Sequence, residues 1–230
     1  MDRNSAMIDA HTYTHEAMKT TFTLRLIHAQ ADHARDAANQ AFALIDEIEN
    51  ALSRYISGSD VSQINSMQSG QSLFISETCY ECMRIALKIY IDTDGLFDIT
   101  LGRQIEHEKN KLKGIAPELI GQLMVDPDRP AIHCVEAGRE IDLGGIGKGY
   151  ALDRIAPLLL DLGIKGGLAS AGTSTQLAFG ESTWKIELTG SRDMPIVELK
   201  NQALSVSGTE IQGSHIVSPR RTKFTHYAHA

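Results

Sequence analysis

Residues 142–153 read DLGGIGKGYALD, and how this segment is read decides which folds are open to the chain. A Walker A loop needs G-x-x-x-x-G-K-[ST], because its backbone wraps the phosphates and its hydroxyl binds Mg²⁺. Here Asp142 stands where the first glycine belongs, and Gly149 follows Lys148 in place of serine or threonine. The Rossmann pattern G-x-G-x-x-G fails as well, since Gly145 and Gly147 are followed by Gly149, one residue too early. Both large nucleotide-binding families are set aside. General anion physics remains: glycines let backbone N–H groups approach a phosphate, and a helix beginning near Ile146 turns its positive end to the loop. That dipole supplies only about 0.3 to 1 kcal/mol, up to about 2 when partly buried, so Lys148 would be the main charge. From the residues alone, the glycines serve equally well to pack a strand tightly on a helix with Lys148 in solvent.

Outward from the loop, "AIHCVE", "AGRE" and "IDL" read as a hairpin that leads into it. After it, Ile146, Tyr150, Ile155, Leu159 and Leu162 mark one face of a helix stopped by Gly163. Pro157 is expected to kink or split that helix, at a cost of about 3 kcal/mol. Upstream, a short helix is expected near Pro117 to Met124, before the "DPDRP" turn. In "SETCYECMRIALKIY" the apolar positions recur at helical spacing, with Thr78 and Glu81 as a capping box and Gly95 at the C-terminal cap. From Ala31 to about Tyr55, Ala34, Ala38, Ala41, Ile45, Ile48 and Leu52 keep the spacing of one buried helical face, and "SGSD" then breaks it. "TTFTLRLIH" alternates as a half-buried strand. The stretch after Gly163 is a run of short strands divided by turn residues. Helices early and strands late predict an α+β fold with mainly antiparallel sheets and packed helices, as a single domain over residues 18–230 behind a polar leader, 1–17.

The chain has 230 residues, 42% hydrophobic and 22% charged, with a formal charge of -7. Its lysines and arginines form no basic stripe, which argues against nucleic acid or an anionic membrane as partner. The start "MDRNSAMIDAHTYT" lacks the apolar run of a secretory signal, and no segment approaches a membrane span of about 18 apolar residues, so no membrane insertion and a cytoplasmic location are expected. Cys79 and Cys82 form a C-x-x-C, a spacing used in redox and zinc sites. Their place on an apolar helical face makes them small core hydrophobes instead. His11 and His15 in "HTYTH" lack the glutamate of H-E-x-x-H, and they, like His226 and His229 near the end, read as solvated rather than as ligands.

Around the glycine loop the chain resembles the ApbE family, the FAD:protein FMN transferases, whose I-D-L-G-G-I-A-K-G-Y-A-x-D segment is close to "IDLGGIGKGYALD". "AMKTTFTLRL" resembles the family's M-G-T-x-F strand, "LSRYISGSDVSQIN" its S-x-Y, S-x-[IL] and N pattern, "GLFDIT" its G-x-F-D-x-T, and "VSGTEIQGSHIVSP" its S-G through S-H-I-x-x-P run. The resemblance implies an enzyme that splits FAD between its phosphates, joins FMN to a threonine or serine of an acceptor flavoprotein and releases AMP, with Mg²⁺ as helper. By position it implies that Met18, Tyr55, Gly95, Leu96 and Phe97 line the FAD site. It also gives FAD contacts to Asp142, Lys148 and Ile216, with Lys148 near the pyrophosphate, and a metal-binding carbonyl to Gly145. His215 is the candidate base and Lys148 its catalytic companion, because a neutral hydroxyl nucleophile needs its proton removed near pH 7.

The chain departs from the family pattern in places. "SAGTSTQ" replaces the usual G-G-[DN], and "SPRRTK" follows S-H-I where D-P-x-T-G is usual. The family's metal site is completed by an aspartate and a threonine well past that segment, so a short member without them is expected, with Asp142 or a neighbouring chain as substitute. A flavin binder that stores, senses or slowly hydrolyses FAD is the alternative to a transferase. A redox C-x-x-C reading would require a thiol of low pKa at Cys79 or Cys82.

Overall fold

The computed structural model describes residues 10–110, 114, 117–188 and 196–206. In chain order its elements are β1 (Ala10–Ala17), β2 (Thr20–Ile27), α1 (Ala31–Leu52), α2 (Asp60–Asn65), β3 (Ser72–Phe74), α3 (Glu77–Asp92), α4 (Gly102–Lys109), β4 (Gln122–Val125), β5 (Ala131–Glu136), α5 (Gly147–Asp161), β6 (Gly166–Ala171), β7 (Thr175–Gly180), β8 (Trp184–Glu187), β9 (Ile196–Leu199) and β10 (Gln202–Ser205). All strand pairs among them are antiparallel, so the α+β expectation holds. The described residues divide into two compact units, one formed by residues up to 46 together with those from 148 on, the other by residues 47–147.

The first unit is built on a five-stranded sheet in the order β1-β2-β6-β7-β10, with β8 and β9 as a separate pair. On β2 the expected alternation is present: Phe22, Leu24 and Leu26 are fully buried, Thr21 and Arg25 exposed. Residues 10–17, read from the sequence as the end of a polar leader, instead pair along β2 from Ala10–Ile27 to Ala17–Thr20. A strand this polar is tolerated because its half-buried side chains find partners. The His11 ring meets the His28 carbonyl at 2.9 Å, and the Tyr13 hydroxyl donates to the Ala31 carbonyl at 2.9 Å. His15 reaches Asp46 Oδ1 at 2.7 Å while stacking on Phe42. Polar tips with partners remove the penalty for burying such groups.

The buried row of α1 is the one its spacing predicts, although the helix stops at Leu52 rather than near Tyr55. Pro157 neither ends nor divides α5, which is continuous to Asp161.

In the second unit β3, β5 and β4 form a three-stranded sheet in that order. The helix expected near Pro117 to Met124 is absent: residues 117–121 are in neither helix nor strand, and Gln122–Val125 pairs with β5. Val125 and Leu123 alternate in burial with their neighbours, and the ladder overrides the short helical reading. The hairpin expected from "AIHCVE" to "IDL" is also replaced. Glu140 makes an isolated parallel bridge to Leu101, and the Asp142 N–H donates to the Ile99 carbonyl at 2.8 Å. The cap of α3 is Ser76, whose hydroxyl accepts the Cys79 N–H at 3.2 Å, so Thr78 lies inside the helix. Cys79 and Cys82 are buried on α3; burial pushes the Cys82 thiol up to about 12 and raises that of Cys79 as well. Neither has the low pKa that redox work requires.

No helix of the described residues is long and apolar enough to cross a membrane.

Candidate functional site

The glycine segment gets its shape from the residues before it. Asn65, the last residue of α2, clamps Ile141: its amide donates to the Ile141 carbonyl at 3.0 Å and its Oδ1 accepts the Ile141 N–H at 2.6 Å. The side chain thus stands in for a missing neighbouring strand and satisfies both backbone groups of a buried residue. Asp142 follows, with Oδ1 accepting the Gly144 N–H at 2.7 Å. Ile146 and Gly147 both donate to the Leu143 carbonyl, at 3.0 and 2.8 Å. Several of the N–H groups that a phosphate would meet are therefore engaged inside the loop, which makes it a stiff turn.

Beneath Asp142 lies a charge cluster that was not visible in the sequence. Arg54, its side chain only 7% exposed, donates through Nη1 to the Gly102 carbonyl at 2.7 Å and to Asp142 Oδ2 at 3.4 Å. Its Nη2 donates to Glu140 at 2.7 Å and to Glu106 at 2.9 Å. Lys109 stands 3.9 Å from the same Asp142 oxygen. Gly102 makes room for this: a Cβ there would sit 2.8 Å from the Glu140 carbonyl oxygen and 2.9 Å from Arg54 Nη1.

Tyr55 is presented by the turn from Ser53 to Ser59, in which the buried Ser59 hydroxyl donates to the Ser53 carbonyl and accepts the Ser62 N–H at 3.0 Å. The Arg54 guanidinium carbon lies 5.8 Å from the centre of the Tyr55 ring. Gly95, Leu96 and Phe97 form the turn that closes α3. The Gly95 N–H donates to the Tyr90 carbonyl at 2.8 Å, and Thr93 Oγ1 accepts the Phe97 N–H at 3.1 Å. Tyr55 and Leu96 are each 55% exposed, whereas Phe97 is half-buried against the loop, where a Cβ on Gly145 would lie 3.3 Å from its ring. The second unit therefore joins Phe97 to Gly145 and, through Arg54, Tyr55 to Asp142.

In the first unit, Met18 and Lys19 are the two central residues of the β1–β2 turn, at φ 50° and 58°. That is the backbone of a type I′ turn, which usually takes asparagine or glycine. The β6–β7 turn lies at the same end of the sheet, since Phe22 pairs with Ala171. Gly172 in it has φ 63°, and a Cβ there would come 2.6 Å from the Thr20 hydroxyl. Ser174 of this turn accepts a hydrogen bond from Lys148 Nζ at 3.2 Å. Lys148 is thus half-buried and oriented rather than free in solvent, and Met18 and Ser174 share this end of the sheet. His215 and Ile216 lie outside the described residues.

Sequence reasoning missed Arg54, Gly102 and Ser174. Arg54 stands inside the quoted "SRY", but its acceptors lie 48 to 88 residues away, and spacing carries no signal at that range. Ser174 belongs to "SAGTSTQ", noted only as a departure from the family pattern.

The described residues do not by themselves fit a Mg²⁺ site. Magnesium wants octahedral oxygen ligands, commonly with a carboxylate or two. Among the described residues no group of three or more His, Cys, Asp or Glu side chains is placed to hold a cation. Asp142, expected as a substitute alongside a neighbouring chain, has one oxygen on the Gly144 N–H and the other facing Arg54 and Lys109.

A second polar chain runs over the β3–β5–β4 sheet: Ser72 Oγ meets His133 Nδ1 at 2.7 Å, and His133 Nε2 meets Asp126 at 3.2 Å. Ser72 and His133 are directly opposed on β3 and β5, which makes this a cross-strand contact of the sheet.

The model of the ApbE family matches residues 18–227. A FAD:protein FMN transferase of Buchnera aphidicola subsp. Schizaphis graminum is 28% identical over 212 residues, covering 76% of this chain and 61% of the relative. One of Klebsiella pneumoniae is 24% identical over 244 residues, covering 89% and 68%. The chain thus spans about 61% of the length of the first of these relatives. Among solved structures, the apo form of the Pseudomonas stutzeri flavinyl transferase ApbE superposes with a TM-score of 0.75 at 24% identity, covering 86% of this chain and 68% of that one.

Proposed function

Since the chain belongs to the ApbE family, we propose that it is an FAD:protein FMN transferase, and the match over residues 18–227 is the observation that carries this reading. In the proposed reaction a threonine or serine hydroxyl of an acceptor flavoprotein attacks the FMN phosphorus. The new oxygen–phosphorus bond forms as the bond from that phosphorus to the AMP oxygen breaks, and AMP leaves. His215 is assigned the hydroxyl proton, a role worth about 10² to 10⁴ in rate. Lys148 is assigned the charge that gathers on the phosphates, and losing such a preorganised donor costs about 2.7 to 4 kcal/mol of transition-state stabilisation. Its hydrogen bond to Ser174 supports this, because an ammonium already oriented need not be ordered during the reaction.

Tyr55 and Leu96, both exposed, suit the broad apolar surface of a flavin or adenine ring, and Gly95, Phe97, Met18 and Ile216 are proposed as further FAD contacts. Mg²⁺ is proposed as helper ion with the Gly145 carbonyl among its ligands. Its other ligands would come from outside the described residues. The cytoplasm is the proposed compartment, with cell fractionation as its test.

Titration of FAD with and without Mg²⁺, read by flavin fluorescence and by AMP release in the presence of a threonine-bearing acceptor, tests the proposal. Binding strengthened by Mg²⁺, AMP release, and loss of both in Lys148→Ala are expected. Binding indifferent to Mg²⁺ and without AMP would replace the transferase by a flavin binder. No binding at all would overturn both.

A further inference from the structure

The five-stranded sheet ends on two unlike edges. β10 is four residues long, whereas β1 runs for eight, Ala10–Ala17, in unbroken register with β2. Among the described residues no strand pairs with the outer side of β1. The turn settles which of its backbone groups face outward. The two-residue Met18–Lys19 turn closes on the Ala17–Thr20 pair, so the hydrogen-bonded pairs fall at Ala17, His15, Tyr13 and His11. The N–H and C=O groups of Thr12, Thr14 and Glu16 therefore point away from β2. The far side of β2 agrees: Thr21, opposite Glu16, turns its carbonyl away from β1 and accepts the Gly172 N–H at 2.9 Å. Long edges are commonly blunted by a bulge, a proline or a lysine, and β1 has none of these three. It opens instead on a groove, lined by Tyr13 and His15 from the strand and by Arg35, Asn39, Ala43 and Asp46 from α1. A strand laid beside β1 would send alternate side chains to that helical wall. The wall holds both signs of charge in Arg35 and Asp46, so it is the main chain of the visitor, and not its net charge, that the edge recognises.

We propose that β1 is the docking edge for the acceptor: an extended segment of the acceptor flavoprotein adds to the sheet beside β1 and carries its threonine or serine to the Met18 end. This rests on the proposed function, since it names where the second substrate of that reaction binds. Position favours this occupant. Glu16, the last outward-facing residue, stands two residues before Met18, about 7 Å along the strand. Met18 shares its end of the sheet with Ser174, on which Lys148 rests. A segment paired with Thr12, Thr14 and Glu16 thus emerges beside the lysine assigned to the phosphates. A sheet edge also straightens whatever main chain it pairs with, which fixes how far the reacting hydroxyl lies from the paired residues.

The test uses an array of peptides, each with one central threonine between randomised flanks, incubated with the full chain, FAD and Mg²⁺ and read by covalent flavin fluorescence. The best-labelled peptide then gives acceptor KM and kcat for the parent, Thr12→Pro and Thr14→Pro. Hydrogen exchange at the Thr12, Thr14 and Glu16 amides is followed with and without peptide, in the absence of FAD. Proline removes an outward N–H and leaves the β1–β2 ladder whole. Each proline should raise KM about threefold to tenfold, the scale of one main-chain hydrogen bond, with kcat and FAD affinity unchanged. Thr14→Ala, which keeps its N–H, should stay near the parent, and peptide should protect all three amides. Should the proline variants not fold, Ala43→Arg, which fills the groove from an exposed position on α1, should raise KM in the same way. Unchanged KM in these variants, or a loss that falls on FAD affinity or kcat instead, would overturn the proposal. Amides already protected without peptide would overturn it too, assigning the edge to another part of this chain, or to a second copy if protection grows with protein concentration. So would a parent that binds FAD but labels no peptide. If the parent binds no FAD, the functional reading fails on its own, and exchange with the pooled peptides still decides whether β1 takes up an extended chain.

Discussion

Two of the arginine–aspartate networks among the described residues of the second unit are built for different purposes. At the glycine loop, Arg54 and Asp142 are both buried, and three carboxylates converge on one guanidinium. At the β4–β5 turn, Asp126 accepts from Arg129 Nε at 2.9 Å, from the Asp128 N–H at 3.0 Å and from His133 at 3.2 Å, but Arg129 is 61% exposed and lies over the exposed ring of Phe74. These hydrogen bonds, that to Arg129 foremost, hold the Asp126 carboxyl well below the usual carboxylate range. Asp126 is buried like Asp142, so it is the burial of the arginine that makes the difference. A desolvated ion pair gains little net stability by existing, yet it costs a great deal to break, whereas an exposed pair is screened in both directions. A buried pair is therefore a fixed point for the backbone that it holds.

Removing each arginine sets the comparison most sharply. Arg54→Met should destabilise the protein by about 3 to 5 kcal/mol, read as a shift in the urea midpoint, because it takes the guanidinium from buried Asp142, which keeps only Lys109 at 3.9 Å, and from half-buried Glu140. Arg129→Met should barely move that midpoint; equal losses from the two would show that burial is not what separates them. Gly102→Ala comes next. Its added Cβ meets the Glu140 carbonyl oxygen and Arg54 Nη1 at under 3 Å, and about 1 to 3 kcal/mol of overpacking should appear in the same unfolding curves. A neutral result would mean that the charge cluster shifts freely.

The smallest effect belongs to pH at Asp126. Its carboxyl is depressed in the folded state, so its contribution is complete above the unfolded carboxylate value of about 3.9 and is lost as pH falls below that toward the folded value. Asp126→Asn should flatten the acid side of the stability profile and leave the neutral side nearly parallel to the parent. An unchanged acid limb would remove Asp126 from the account.

Much of this was legible in the order of residues. Period-two alternation on β2 and the row of Ala34, Ala38, Ala41, Ile45, Ile48 and Leu52 on α1 are local signals, because a side chain's face follows from its own position in a strand or helix. The glycine segment was legible for a different reason: a motif long enough to quote limits which folds can carry it. Strand β1 was missed because its half-buried residues are polar, and their partners His28, Ala31 and Asp46 are supplied by the fold. The "IDL" hairpin was misread because the partner of Ile141 is a side chain, Asn65, 76 residues upstream.

By itself, then, the sequence determined the α+β class, the main buried faces and the place of the glycine loop, since each of these depends on local periodicity or on a contiguous motif. Only the tertiary structure decided how the loop is held, that Lys148 rests on Ser174, and that Asp142 faces Arg54 rather than solvent. Long-range hydrogen bonds and ion pairs have no period along a chain, and which donor meets which acceptor is settled only when folding excludes water from between them.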